Sequence, residues 1–131
     1  MSRILALDYG EARCGCALSD PTGTLATPIG AVERPGSRRG LARIAELAAG
    51  HGVDLVLVGL PLTLAGEEGA QARETREFAE RLEPLLGVPV ELYDERLTTR
   101  QAERSGGGAD ADSRAAAHLL ETYLSASGRP V

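Results

Sequence analysis

The stretch ILALDYGEARCGCALSD, residues 4–20, opens as an apolar strand and then places a carboxylate, Asp8, at its end, followed at once by Tyr9 and Gly10. An ionised side chain closing a run fit for the centre of a sheet is costly unless something cationic meets it. The same stretch predicts a hairpin, with one strand over 3–9 and a second over 13–19. A turn at DPTG (20–23) and a strand over 24–32 continue it into three antiparallel strands.

Downstream the pattern changes to alternation of helix and strand. SRRGLARIAELAAG (37–50) puts Leu41, Ile44, Ala45 and Ala48 on one face, with Ser37 placed to cap the helix and Gly50 to end it. VDLVLVGLP (53–61) is apolar nearly throughout, as a buried parallel strand should be. A helix over Ala70–Leu86 carries Thr75, Phe78, Ala79, Leu82 and Leu86 on its inner face, and Arg73–Glu77 and Arg76–Glu80 at ion-pair spacing on the outer one. VPVELYDE (88–95) predicts a fifth strand, and Thr98 and Gln101 have capping-box spacing for a short helix. SGGGADA (105–111) reads as a loop, Asp112 as the opening of the last helix, and the tail SGRPV as frayed. Hairpins followed by alternating helices and strands give an α/β layer fold with a mixed five-stranded sheet, with 1–131 as one domain.

Composition narrows the function. With 43% apolar residues, one Phe, three Tyr and no Trp, the core must be built from Leu, Val, Ile and Ala. No run approaches the roughly 18 apolar residues of a membrane span, which predicts a cytoplasmic protein with no membrane partner. All 14 basic residues are arginine, and the formal charge of −5 argues against binding nucleic acid by overall field, though not against a local patch. Cys14 and Cys16 lie on one face of a strand, with Cα atoms about 6.5–7 Å apart, so buried reduced thiols are expected rather than a disulfide.

The acids carry the chemistry. Asp8 ends the first strand, and Asp94 and Glu95 end the fifth, where α/β sheets bind ligands. On the last helix, Ala115, Ala116, Leu119, Leu120 and Tyr123 form an apolar stripe with Asp112 near its centre, so Asp112 points toward the sheet; His118 falls off the stripe. Each acid has a plainer reading. Asp112 could cap its helix, Asp8 could bind turn amides at Gly10, and Asp94 or Glu95 could pair with Arg96 or Arg100. Acids gathered over one sheet repel each other, and hard oxygen ligands suit Mg²⁺ or Mn²⁺. Two such ions about 4 Å apart can activate a water and stabilise the leaving oxygen in phosphodiester cleavage.

In this setting the chain resembles the YqgF/RuvX family of ribonuclease H-like nucleases. The segments LALDYGEARCGCALSD, VGLPLTLAGEEG, FAERLEPLLGVPVELYDERLTT and DSRAAAHLLETYL carry the likeness, the DERLTT block and the D-x-x-A-A-x-x-L-L-x-x-Y-L ending most specifically. The resemblance implies a sheet of order 3-2-1-4-5 with strand 2 antiparallel, and a metal-dependent Holliday junction resolvase or a nuclease of the small-subunit ribosomal RNA precursor. It implies an acidic triad on Asp8, Glu95 and Asp112, catalytic and metal-holding. Asp94, Gly10, Arg96 and Thr98 rank as support, Asp94 being turned by strand alternation to the opposite face. Many relatives carry a longer basic loop before the final helix, where this chain has SGGGADA. Arg34, Arg38, Arg39 and Arg43 in ERPGSRRGLAR (33–43) are the substitute patch for nucleic acid. Symmetric cutting of a junction further predicts a homodimer. Two rivals remain. One is half of an actin-like ATPase, which needs two such lobes. The other is a non-catalytic nucleic-acid-binding or ribosome-assembly module, which metal-dependent loss of a labelled substrate would exclude.

Overall fold

The computed structural model describes residues 3–95 and 108–126. The first hairpin forms from β1 (Ile4–Asp8) and β2 (Arg13–Ser19), and β3 (Ala26–Glu33) adds antiparallel to β2. Asp20 makes the turn between β2 and β3. Its Oδ1 accepts from the Thr24 and Leu25 amides at 2.9 Å each, and its Oδ2 accepts from the Thr22 hydroxyl. The Thr22 hydroxyl foremost, then these amides, lower its carboxyl to a pKa of about 2. β3 is an edge strand, which is where a sheet tolerates Pro28.

The chain then crosses through α1 (Arg38–Gly50) to β4 (Leu55–Leu60), which lies parallel to β1. Ser37 caps α1 as expected, its Oγ accepting from the Gly40 amide at 3.0 Å. A second crossover through α2 (Ala70–Leu86) leads to β5 (Val90–Asp94), parallel to β4. The sheet order is therefore β3-β2-β1-β4-β5, with β2 antiparallel to both neighbours, as the resemblance implied. The last element is α3 (Gly108–Ala126).

Strand alternation divides the core between the two faces of the sheet. Leu5, Leu7, Cys14, Cys16, Val56 and Val58 face α1 and α2 and meet Ile44, Phe78 and Leu82. Ile4, Ala6, Ala17 and Leu57 face α3 and meet Ala116, Leu119, Leu120 and Tyr123. Both cysteines are free and buried. Among the described residues, no helix is long and apolar enough to cross a membrane.

Two local expectations need correction. The last helix begins at Gly108, not Asp112, so residues 108–111 are helical and the buried Ala111 packs in its first turn. On α2, Arg76 pairs with Glu68, just before the helix, and Arg73 donates to the Glu68 carbonyl at 3.2 Å. Glu68 accepts from both arginines at once, in place of the pairs predicted along the helix, and Arg76 keeps only a longer-range attraction to Glu80. The short helix expected from Thr98, together with Arg96, lies outside the described residues.

Candidate functional site

Asp8 is the last residue of β1, and the alternation that sends Ile4 and Ala6 toward α3 sends Asp8 there too. Its strand end is pinned from the opposite face, where Tyr9 stacks on Phe78 with ring centroids 4.5 Å apart. Such a pair contributes about 0.5–1.5 kcal/mol beyond its buried area. Burial, then Glu74 and Glu11, raises the Tyr9 pKa, so this anchor stays neutral. Gly10 opens the hairpin loop because a Cβ there would lie 2.8 Å from the Arg13 carbonyl oxygen.

The neighbours of Asp8 on both flanking strands are glycines. Gly15 of β2 is its register partner, and Gly59 of β4 follows Val58, the partner of Leu7. Each glycine receives one of the other two acids. A Cβ at Gly15 would stand 1.9 Å from the Asp112 carbonyl oxygen, so the backbone of α3 lies directly on β2 at this point. A Cβ at Gly59 would stand 2.5 Å from Glu95 Oε2, so the Glu95 side chain lies flat across β4. The absence of two side chains thus brings a helix and a carboxylate down beside Asp8.

Glu95 directly follows β5 and shares the α3 face with Tyr93, whereas Leu92, and by alternation Asp94, face the other side. Asp112 is the fifth residue of α3 and does not cap it. Its carboxylate instead accepts a hydrogen bond from Arg13 Nε at 2.8 Å, an ion pair spanning 99 positions of sequence. Burial foremost pushes the Cys14 thiol well up, and contact with Cys16 and the charges of Asp8 and Asp112 push the same way, placing both carboxylates within electrostatic reach of one strand residue.

The structure therefore brings Asp8, Glu95 and Asp112 to one rim and one face of the sheet. It does not close them into a ready cage: among the described residues, no three acidic, histidine or cysteine side chains are grouped to hold one ion. Asp112 Oδ2 is turned to Arg13. The donor set of carboxylate oxygens nonetheless suits a hard divalent cation. The arginine patch stands at the same rim, since the Arg34 amide donates to the Ala12 carbonyl at 2.9 Å. Arg34 takes a left-handed φ of 47°, turning the chain out of β3. Arg34, Arg39 and Arg43 line an open groove of about 620 Å³, while Arg38 is exposed outside it.

Sequence reasoning missed Arg13. Its position at the head of β2, in step with Gly15 and Ala17, assigns its face, but nothing local names a partner so distant in the chain.

A family model described as "RuvX: Holliday junction resolvase" matches residues 2–126. The chain belongs to the RuvX family. Membership assigns it to a nuclease family, whose chemistry is hydrolysis of phosphodiester bonds and which generally relies on divalent metals. Relatives bearing the name "Putative pre-16S rRNA nuclease" include one from Syntrophomonas wolfei, 40% identical over 93% of this chain and 93% of its own length. Another, from Anaeromyxobacter dehalogenans, is 44% identical over 93% of this chain and 96% of its own. Among solved structures, Thermus thermophilus RuvC in complex with a Holliday junction substrate matches with a TM-score of 0.66 at 15% identity, covering both chains fully. A further Thermus thermophilus RuvC structure matches with a TM-score of 0.62 at 16% identity, over 98% of this chain and 99% of the other. At such identities the likeness establishes the shared ribonuclease H-like fold.

Proposed function

We propose that this RuvX-family chain is an endonuclease for structured nucleic acid in which Asp8, Glu95 and Asp112 hold two divalent ions, Mg²⁺ or Mn²⁺. The observation that carries the reading is the delivery of three carboxylates, from the end of β1, the end of β5 and the second turn of α3, onto one face around Gly15 and Gly59. When bound, the ions supply an activated water and charge stabilisation for the leaving oxygen. The chain does the rest. Tyr9 fixes the end of β1, the two glycines set the height of Asp112 and Glu95 above the sheet, and Arg34, Arg39 and Arg43 receive phosphates along the groove.

The names of the relatives favour precursor 16S ribosomal RNA as substrate; the family description favours branched DNA. If the substrate is a junction, two sites must act together, so the working form on branched DNA is a twofold dimer. Residues 1–131 act as a single ribonuclease H-like domain in the cytoplasm. The test is side-by-side cleavage of a four-way junction and a 5′-extended 16S precursor in Mg²⁺, in Mn²⁺ and in chelator, with Asp8→Asn, Glu95→Gln and Asp112→Asn. The parent should cut at least one substrate in metal only, and each variant should lose at least about 100-fold, more than the loss of an outer-sphere partner causes. Binding without cleavage of either substrate would point to a non-catalytic module instead.

A further inference from the structure

Arg13 is ion-paired to Asp112 and has no part in the reading above. Its Nε donates to Asp112 Oδ2 at 2.8 Å, and this is its only side-chain hydrogen bond among the described residues. The remaining N–H groups of the fork are uncommitted, and the side chain is 36% exposed against 18% for Asp112. The carboxylate is thus the more covered partner of the pair, and the guanidinium the more exposed one.

This arrangement has two chemical consequences. A lone pair of Oδ2 that accepts from Nε is not offered to a cation, and the positive charge of Arg13 opposes a second positive charge at Asp112. The planar fork also matches the oxygens of a phosphodiester, which gives Arg13 an alternative acceptor when nucleic acid arrives. We propose that Arg13 guards Asp112 against cation binding until substrate is present, and then transfers its fork to a backbone phosphate beside the acids. Nucleic acid would free Asp112 of Arg13 and the cation would free Arg13 of Asp112, so each should tighten the other's binding equally. The inference rests on Asp8, Glu95 and Asp112 being the cation site.

The full chain would be titrated with Mn²⁺ alone, following binding by calorimetry, for the parent, Arg13→Gln, Arg13→Met and Arg13→Gln combined with Asp8→Asn. Single-turnover cleavage at saturating Mn²⁺ would then be measured for the same proteins and for Arg13→Lys. Both uncharged variants should bind Mn²⁺ about tenfold more tightly, as expected when a like charge leaves the site. They should cleave about 10- to 100-fold more slowly, the worth of a charge-assisted hydrogen bond. Arg13→Lys restores charge without the fork and should remain slower than the parent. A merely structural Arg13 would also take a like charge from the site when lost, so the proposal requires the tighter Mn²⁺ binding and the slower cleavage together. Unchanged or weaker Mn²⁺ binding in both variants, or undiminished cleavage, overturns the proposal while leaving the cation site intact. Adding Asp8→Asn to Arg13→Gln without weakening its Mn²⁺ binding overturns the cation site, and this proposal with it.

Discussion

Asp112 pairs with Arg13 through the same carboxylate that the proposed function assigns to a cation, and substitution separates the two roles. Asp112→Asn keeps the shape, and its amide oxygen can still accept from Arg13 Nε, but the ionic part of the pair is lost. A pair this exposed is worth no more than about 1 kcal/mol after solvent screening. The variant should therefore melt about 3–5 °C below the parent in chelator. Arg13→Gln should cost a similar amount, and the double variant little more than either single one, because one interaction is removed in each case. Thermal melts of the four proteins check this; losses that simply add would separate the two residues energetically. Much of this site was legible at the residue level. Carboxylates at two strand ends, and a third on the inner stripe of a helix, follow from periodicity alone. Alternation also ranked Asp94 behind Glu95. Periodicity assigns a face and is silent on partners, so the cation that meets Asp112 had to come from the folded chain.

At the scale of elements, two strand glycines decide how closely a helix and a side chain approach Asp8. Gly15→Ala would drive a methyl into the Asp112 backbone, which no rotamer change can relieve, so α3 must lift or tilt. Overpacking of this kind costs about 1–3 kcal/mol, and a displacement near 1 Å at a catalytic group costs about 100-fold in rate. Gly59→Ala meets the Glu95 side chain from Cγ to Oε2 but no backbone, so the side chain rather than an element must give way. It should lose less than about 1 kcal/mol of stability yet also cleave slowly, because the shift moves a carboxylate of the site. Melting curves paired with single-turnover rates separate the two. Equal stability losses would mean that α3 does not rest on Gly15. Both glycines stand within apolar strand runs, where sequence marks only a missing side chain. The start of α3 was misplaced for a related reason: a glycine-rich segment ending in Ala-Asp-Ala reads locally as loop, yet its residues from Gly108 on are helical and Ala111 is buried.

For the whole molecule, the order of the sheet was implied by resemblance to a family, while the residues themselves yielded only the hairpins and the alternation after them. Charge is the other property of this scale. A chain with a net charge of −5 repels a polyanion at long range, so any grip on phosphate must come from a local concentration of arginine. The groove separates the four candidates that sequence alone left equivalent. Arg34, Arg39 and Arg43 line it; Arg38, their neighbour in sequence, does not. Arg43 also contacts Glu46 at 3.4 Å, an exposed pair weak enough to yield to a phosphate. Each neutralised phosphate on duplex DNA releases counterions with a log–log slope of about 0.9. Replacing Arg39 and Arg43 together by alanine should therefore weaken binding and flatten the salt slope by about two units, while sparing cleavage at saturating substrate. Arg38→Ala should leave the slope within about 0.3 units of the parent, since it removes a charge but no contact. Both are exposed changes on α1, so stability should move by only about half a kcal/mol. Binding isotherms at several salt concentrations decide the matter. Equal flattening by Arg38→Ala and by either groove arginine would mean that α1 acts through diffuse charge, and the groove would lose its claim to the phosphate backbone.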